Sequence, residues 1–108
     1  MEYRDEIDAG VSAVLEASIL CREIQKSLNR FKTLRKGDLS PVTTADFASQ
    51  VLIISKIKEY FPTDVILGEE NSSLLRDNKE YSRQVLIFLK QYIKGLSVNE
   101  LWEILDQG

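Results

Sequence analysis

Apolar residues recur at spacings of three and four over the first third of the chain. Ala13, Ala17, Leu20, Ile24, Leu28 and Phe31 fall on one face of a helix expected over residues 5 to about 32. Glu16, Arg22, Glu23, Lys26 and Arg30 interleave on the other positions. Gly10 is a weak point in that helix, costing about 1 kcal/mol relative to Ala. Cys21 reads as a small apolar residue packed near the buried face.

Residues 33–44 break the period. Lys36-Gly37-Asp38-Leu39-Ser40-Pro41 is turn chemistry, and Pro41 biases Ser40 toward an extended backbone. Thr43-Thr44-Ala45-Asp46 then opens a second helix running to about Tyr60. Either Thr serves as its N-cap, which places Asp46 in the first turn, where a negative charge is favoured. Phe47, Ala48, Val51, Leu52, Ile54, Ile57 and Phe61 cover well over half its circumference, so it should be largely buried. Pro62 lies just beyond its end.

The run Asp64-Val65-Ile66-Leu67-Gly68 is short, apolar and bounded by turn signals, the pattern of a buried strand. Gly68-Glu69-Glu70-Asn71 follows it directly. A third helix is expected over roughly 78–94, with Tyr81, Val85, Phe88, Leu89 and Tyr92 at helical spacing and Gly95 as its stop. Ser97 and Glu100 form a capping box for a last short helix, whose apolar face is Leu101, Trp102, Ile104 and Leu105. There is no internal repeat. A lone strand cannot satisfy its own backbone, and the only other extended candidate, Leu39–Thr43, is interrupted by Pro41. Either there is no strand here, or the chain is incomplete, or a partner completes it; the incomplete chain is the expectation.

Composition narrows the chemistry. The chain has 108 residues, a net charge of -3, one Cys and no His. Without His there is no Ser-His-Asp or Cys-His relay and no His-based zinc site. One Cys forms no intrachain disulfide, and the acidic balance argues against a nucleic-acid-binding surface. The longest apolar run, Val51-Leu52-Ile53-Ile54, is far too short to cross a bilayer. The N-terminus has no signal-peptide character, since acids precede any apolar stretch, so a cytoplasmic protein is expected.

Three carboxylates hold privileged positions. Asp46 opens a buried helix, and Glu69 and Glu70 follow the carboxyl end of the expected strand, the edge where α/β proteins gather ligands. Carboxylates without His or Cys suit a hard cation, chiefly Mg²⁺, which shares phosphate oxygens with its protein ligands. The competing reading of the same residues is a helix-start acid and a solvated Gly-Glu-Glu loop. Lys36 reads as a surface lysine, Trp102 as a packing residue, and the charges of residues 76–83 as a solvated helix start.

Lys36-Gly-Asp-Leu-Ser-Pro-Val-Thr-Thr-Ala-Asp46, then Phe61-Pro62, then Ile66-Leu-Gly-Glu-Glu70, resembles the inositol monophosphatase superfamily of Mg²⁺-dependent, lithium-sensitive phosphatases. The Ser-Pro-Val-Thr-x-Ala-Asp form is most similar to its 3'(2'),5'-bisphosphate nucleotidase branch. So are the Leu20-Cys21-x-x-Ile24-Gln25-x-x-Leu28 run and Gln50. Leu105-Asp-Gln-Gly108 resembles the segment shortly before that family's central metal motif.

The resemblance implies roles. Asp46 matches an aspartate that orients and deprotonates the attacking water. Glu69 matches a metal ligand, and Glu70 a neighbouring acid that supports the metal site. Thr43 and Thr44 match threonines that hold the Asp-bearing turn. The implied cofactor is Mg²⁺, and the implied substrate is 3'-phosphoadenosine 5'-phosphate, hydrolysed to AMP and phosphate. The implied fold is a layered α/β sandwich, of which residues 1–108 would be the N-terminal, mostly helical portion with one strand at about 64–68.

The family's Asp-Pro-Ile-Asp-Gly-Thr and later Trp-Asp motifs are absent. The isolated chain is therefore expected to be inactive and to self-associate through exposed core. Two alternatives stay open: a fragment of an inositol or sugar phosphate phosphatase, or a non-catalytic short protein that pairs with another chain.

Overall fold

A computed structural model describes residues 3–30, 39–61 and 70–107, with the side chains of residues 3–6, 9 and 28–30 set aside. Five helices run along the chain: α1 (Tyr3–Arg30), α2 (Pro41–Tyr60), α3 (Ser73–Asp77), α4 (Lys79–Leu89) and α5 (Val98–Leu105). The described residues contain no strand. The strand expected at 64–68 lies outside them, as do Lys36 and Glu69.

The helical period of α1 does what its spacing requires. Ala13, Leu20 and Ile24 are fully buried and Ala17 nearly so. Ala17 joins the same core cluster as Ala48 of α2. The core gathers Leu20 and Ile24 of α1, Phe47, Val51 and Leu52 of α2, Leu75 of α3, Val85 and Leu89 of α4, and Leu101 and Leu105 of α5. Each such side chain contributes about 1.5–3 kcal/mol by leaving water. Helix α2 is buried over most of its circumference, as its apolar positions require. Thr44, Phe47, Ala48, Val51, Leu52 and Ile54 are all inaccessible.

Two sequence expectations are corrected here. The N-cap of α2 is Ser40, not Thr43 or Thr44. Its backbone is extended (φ -63°, ψ 157°) and its hydroxyl accepts the Thr43 N–H, with Pro41 at the first helical position. Proline fits that position because its missing N–H would be unpaired there anyway. The helix thus starts earlier than expected, Asp46 lies in the second turn, and the first turn carries no acid. The extended piece considered over Leu39–Thr43 is for the same reason mostly helix.

Helix α4, the one expected over roughly 78–94, is shorter than its apolar period. It ends at Leu89, and residues 90–95 continue as turns to Gly95, whose φ of +76° only glycine adopts without strain. Asn78 caps it, accepting the N–H groups of Glu80 and Tyr81. The capping box of Ser97 and Glu100 is present as expected.

Candidate active site

The start of α2 is tied to the rest of the fold by a buried threonine. The Thr44 hydroxyl donates to the Ser40 carbonyl at 2.9 Å and accepts from the Gln84 side-chain amide of α4 at 2.8 Å. The same Gln84 nitrogen donates to the Leu39 carbonyl at 2.9 Å. Thr43 is engaged more superficially, with the Ser40 hydroxyl donating to its Oγ1 at 2.9 Å. The turn that precedes Asp46 is therefore fixed from within and from α4.

Asp46 itself is exposed. It lines a cleft of about 140 Å³ between α1 and α2 with Cys21, Gln25, Pro41, Val42 and Ala45. The thiol of Cys21 and the hydroxyl of Ser49 lie 2.8 Å apart, so the cysteine is half-buried and hydrogen-bonded at the wall of that cleft.

One turn beyond Asp46 on the same helix, Gln50 reaches the Gly-Glu-Glu segment. Its Nε2 donates to the Glu70 carbonyl at 2.6 Å, and its Oε1 accepts the Glu70 N–H at 2.9 Å. Residues four apart share a helix face, so the Asp46-bearing face of α2 also holds the backbone of Glu70. Thus Asp46 and Glu70 are brought to one helix face, while Glu69, the residue before Glu70, lies outside the described residues.

Beyond Glu70 the chain is held again. The Ser72 N–H donates to Asp106 Oδ1 at 2.8 Å, and its hydroxyl donates to Oδ2 at 2.5 Å. Arg76 Nε donates to the same hydroxyl at 2.6 Å, while Nη2 pairs with Asp106 Oδ2 at 3.2 Å. The guanidinium lies 4.7 Å from the centre of the Trp102 ring. Trp102 donates its Nε1–H to Ser82 Oγ at 3.1 Å, and that hydroxyl donates to the Leu75 carbonyl at 2.7 Å. The Ser72 hydroxyl, with the Arg76 charge behind it, holds the Asp106 carboxyl below the usual carboxylate range against a partial opposing effect of burial.

Arg76 is exposed, as its sequence position implied, but it is also paired with Asp106, and Trp102 packs as expected while also making a polar contact. Gln84 and Ser72 carried no motif in the sequence, and Asp106 stood only within the Leu105–Gly108 resemblance, with no role of its own. One signal was available for Asp106: an acid at a helix C-terminus is unfavourable unless something pairs with it.

Asp46 and Glu70 offer carboxylate oxygens, the donor type a hard cation takes. Among the described residues no three acids, cysteines or histidines converge closely enough to hold a metal by themselves. No described helix is long and apolar enough to cross a membrane.

No family model matches the chain. Curated proteins do. It is 44% identical over 120 residues to 3'(2'),5'-bisphosphate nucleotidase 1 of Candida albicans, covering 98% of the chain and 33% of that protein. It is 34% identical over 122 residues to 3'(2'),5'-bisphosphate nucleotidase of Schizosaccharomyces pombe, covering 100% and 35%. The chain belongs to the 3'(2'),5'-bisphosphate nucleotidase family. A Dictyostelium discoideum nucleotidase of the same name is 36% identical over 103 residues, covering 91% of the chain and 30% of the relative. The chain spans about a third of the length of the curated nucleotidases it matches.

Proposed function

We propose that this chain is the N-terminal portion of a Mg²⁺-dependent phosphatase domain that hydrolyses 3'-phosphoadenosine 5'-phosphate to AMP and phosphate. The 108 residues alone do not turn over. The observation that carries the reading is the pair of hydrogen bonds from Gln50, on the Asp46-bearing face of α2, to the main chain of Glu70. A helix that presents one site acid and grips the backbone of another is built to hold the two in register.

In this reading the exposed Asp46 carboxylate orients the attacking water and takes its proton, since it is open to the cleft and its turn is fixed through Thr44. Glu69 and Glu70 hold Mg²⁺. The ion when bound neutralises charge on the phosphate and lowers the pKa of the attacking water. The described acids match the ion in type and fall short of it in number. Further carboxylates, of the kind the absent Asp-Pro-Ile-Asp-Gly-Thr motif supplies, complete the site in the whole domain. A cytoplasmic location belongs to the same proposal, and one Arabidopsis thaliana relative is named mitochondrial.

A phosphate-release assay with 3'-phosphoadenosine 5'-phosphate and Mg²⁺ tests this. The 108-residue chain is expected to give no signal above a buffer blank; lithium-sensitive turnover by it alone overturns the inactivity. Reading the coding sequence past Gly108 should reveal an Asp-Pro-Ile-Asp-Gly-Thr motif. In that longer chain Asp46→Asn should lower kcat by about 10²-fold or more, and an unchanged kcat refutes its role.

A second reading, a non-catalytic chain that pairs with another, has one observation behind it. Ile7, Val11, Val14, Leu15 and Ile19 of α1 are each more than half exposed.

A further inference from the structure

The segment that follows Glu69 is held at two points with a single residue between them. Gln50 takes both main-chain groups of Glu70. Asp106 takes the main-chain N–H and the hydroxyl of Ser72. Asn71 alone separates the two, and its Oδ1 is turned forward to accept the Ser73 N–H at 2.9 Å.

Ser72 shows that this second hold is specific. A serine directly before a helix ordinarily caps it. Ser72 precedes α3 yet makes no side-chain cap; its backbone is helical (φ -81°, ψ -5°). Its hydroxyl is committed to Asp106 instead, and the residue is 2% exposed. Arg76, one turn into α3, closes the arrangement by contacting both Ser72 and Asp106. Asp106 lies just past the end of α5, the helix that packs on α2 through Leu101 and Leu105. Residues 70–72 are therefore held at both ends, by α2 and by the end of α5, each anchored in the same core.

We propose that Asp106 is a positioning residue for Glu70, acting with Gln50 to fix the backbone from which its carboxylate projects. The effect is indirect, since the hydrogen bonds of Asp106 go to Ser72 and Arg76. With Ser72 released, residues 71–72 regain their backbone freedom, and the Gln50 contact must hold Glu70 unaided. This inference rests on the reading of Glu69 and Glu70 as site acids, and the experiment below separates the two.

The test is amide hydrogen exchange by NMR on the 108-residue chain and on Asp106→Asn. Exchange of both the Ser72 and Glu70 amides is expected to rise by about tenfold, while Val51, Leu52 and Val85 keep their protection. If Ser72 alone loses protection and Glu70 keeps it, Asp106 only ties α5 to α3 and the proposal falls. Should Asp106→Asn loosen the core amides as well, Ser72→Ala replaces it. That variant removes the hydroxyl contact and keeps the N–H bond, and the same selective rise at Glu70 is required of it. A second arm adds Mn²⁺ and follows paramagnetic broadening. Broadening centred on Glu69 and Glu70 in the parent chain, weakened several-fold in Asp106→Asn at unchanged Tm, supports positioning, since a merely structural contact would shift Tm and leave the broadening in place. Absence of localised broadening in the parent reflects the shortfall of carboxylates in these 108 residues, and the exchange arm alone then decides whether Asp106 positions Glu70.

Discussion

Gln50 and Glu70 are joined by both ends of one side-chain amide, the nitrogen donating to the Glu70 carbonyl and the oxygen accepting its N–H. Only Gln at this position offers a donor and an acceptor on the same planar group with this reach. Gln50→Glu keeps the acceptor and loses the donor, leaving the Glu70 carbonyl facing a negative charge. It is expected to lower stability by about 1–3 kcal/mol, since a partner is left unpaired as well as a bond lost. Urea unfolding measures this; a loss below about 0.5 kcal/mol would mean that the contact contributes nothing in solution.

Thr44 gives a sharper case because its surroundings are closed. It is fully buried, donates to the Ser40 carbonyl and accepts from Gln84. Thr44→Val keeps the shape and removes both bonds, at an expected cost of about 1–3 kcal/mol. Thr43→Val, on the partly exposed side of the same turn, should cost clearly less. A double-mutant cycle of Thr44→Val with Gln84→Ala should show coupling of at least about 0.5 kcal/mol. Additive losses would mean that the two side chains do not interact.

These two contacts mark what the sequence could and could not show. The faces of α1 and α2, the Ser97–Glu100 capping box and the stop at Gly95 were legible because each depends on residues within a few positions of one another. The N-cap of α2 was misplaced because Ser40-Pro41 reads equally as a turn and as a cap followed by proline at the first helical position. Helix α3 was missed because five residues are too few to display a period. Gln50–Glu70, Gln84–Thr44 and Asp106–Ser72 join residues 20, 40 and 34 positions apart, and no local pattern predicts them. Asp46 and Glu70 were legible as acids at element boundaries, whereas what holds them was not.

Asp106 should give the chain an acid-sensitive anchor. Its carboxyl is held below the ordinary value of about 3.9 by the Ser72 hydroxyl, with further help from the Ser72 N–H and Arg76. A carboxylate depressed by folding adds stability that is fully present above its unfolded pKa and disappears as pH falls through the folded one. The difference in stability between the parent and Asp106→Asn should therefore be constant from pH 5 to 7 and shrink below about pH 4. Urea midpoints at pH 7, 5 and 3 read it. A gap that stays constant down to pH 3 would show that the charge on Asp106 does not matter. The side chain is 38% exposed, so added salt should also reduce the gap.

Gly10 lies within α1, and a Cβ built there meets nothing within 4 Å. Its backbone is helical, which alanine adopts without strain. Gly10→Ala should accordingly stabilise the chain by about 0.4–1 kcal/mol, chiefly by restricting the unfolded state. Thermal unfolding tests this, and a lower Tm would show that the N-terminal part of α1 is not helical in solution.

The exposed apolar residues of α1 should govern how the chain behaves at high concentration. Ile7, Val11, Val14, Leu15 and Ile19 are 52–61% exposed and lie on a different side of the helix from the buried Ala13, Ala17, Leu20 and Ile24. Side chains four apart on a helix adjoin, so Ile7, Val11 and Leu15 make a continuous strip, with Val14 beside it. Strips of this kind on a soluble surface mark a contact with another chain or a route to association. Size-exclusion with light scattering should show an apparent mass that rises with concentration. Val11→Lys with Leu15→Lys should shift the profile toward monomer while changing stability by less than about 0.5 kcal/mol, because neither side chain enters the core. A parent chain that remains monomeric at every concentration would remove the case for pairing through this helix. A parent that associates and a double variant that associates equally would place the contact elsewhere on the surface.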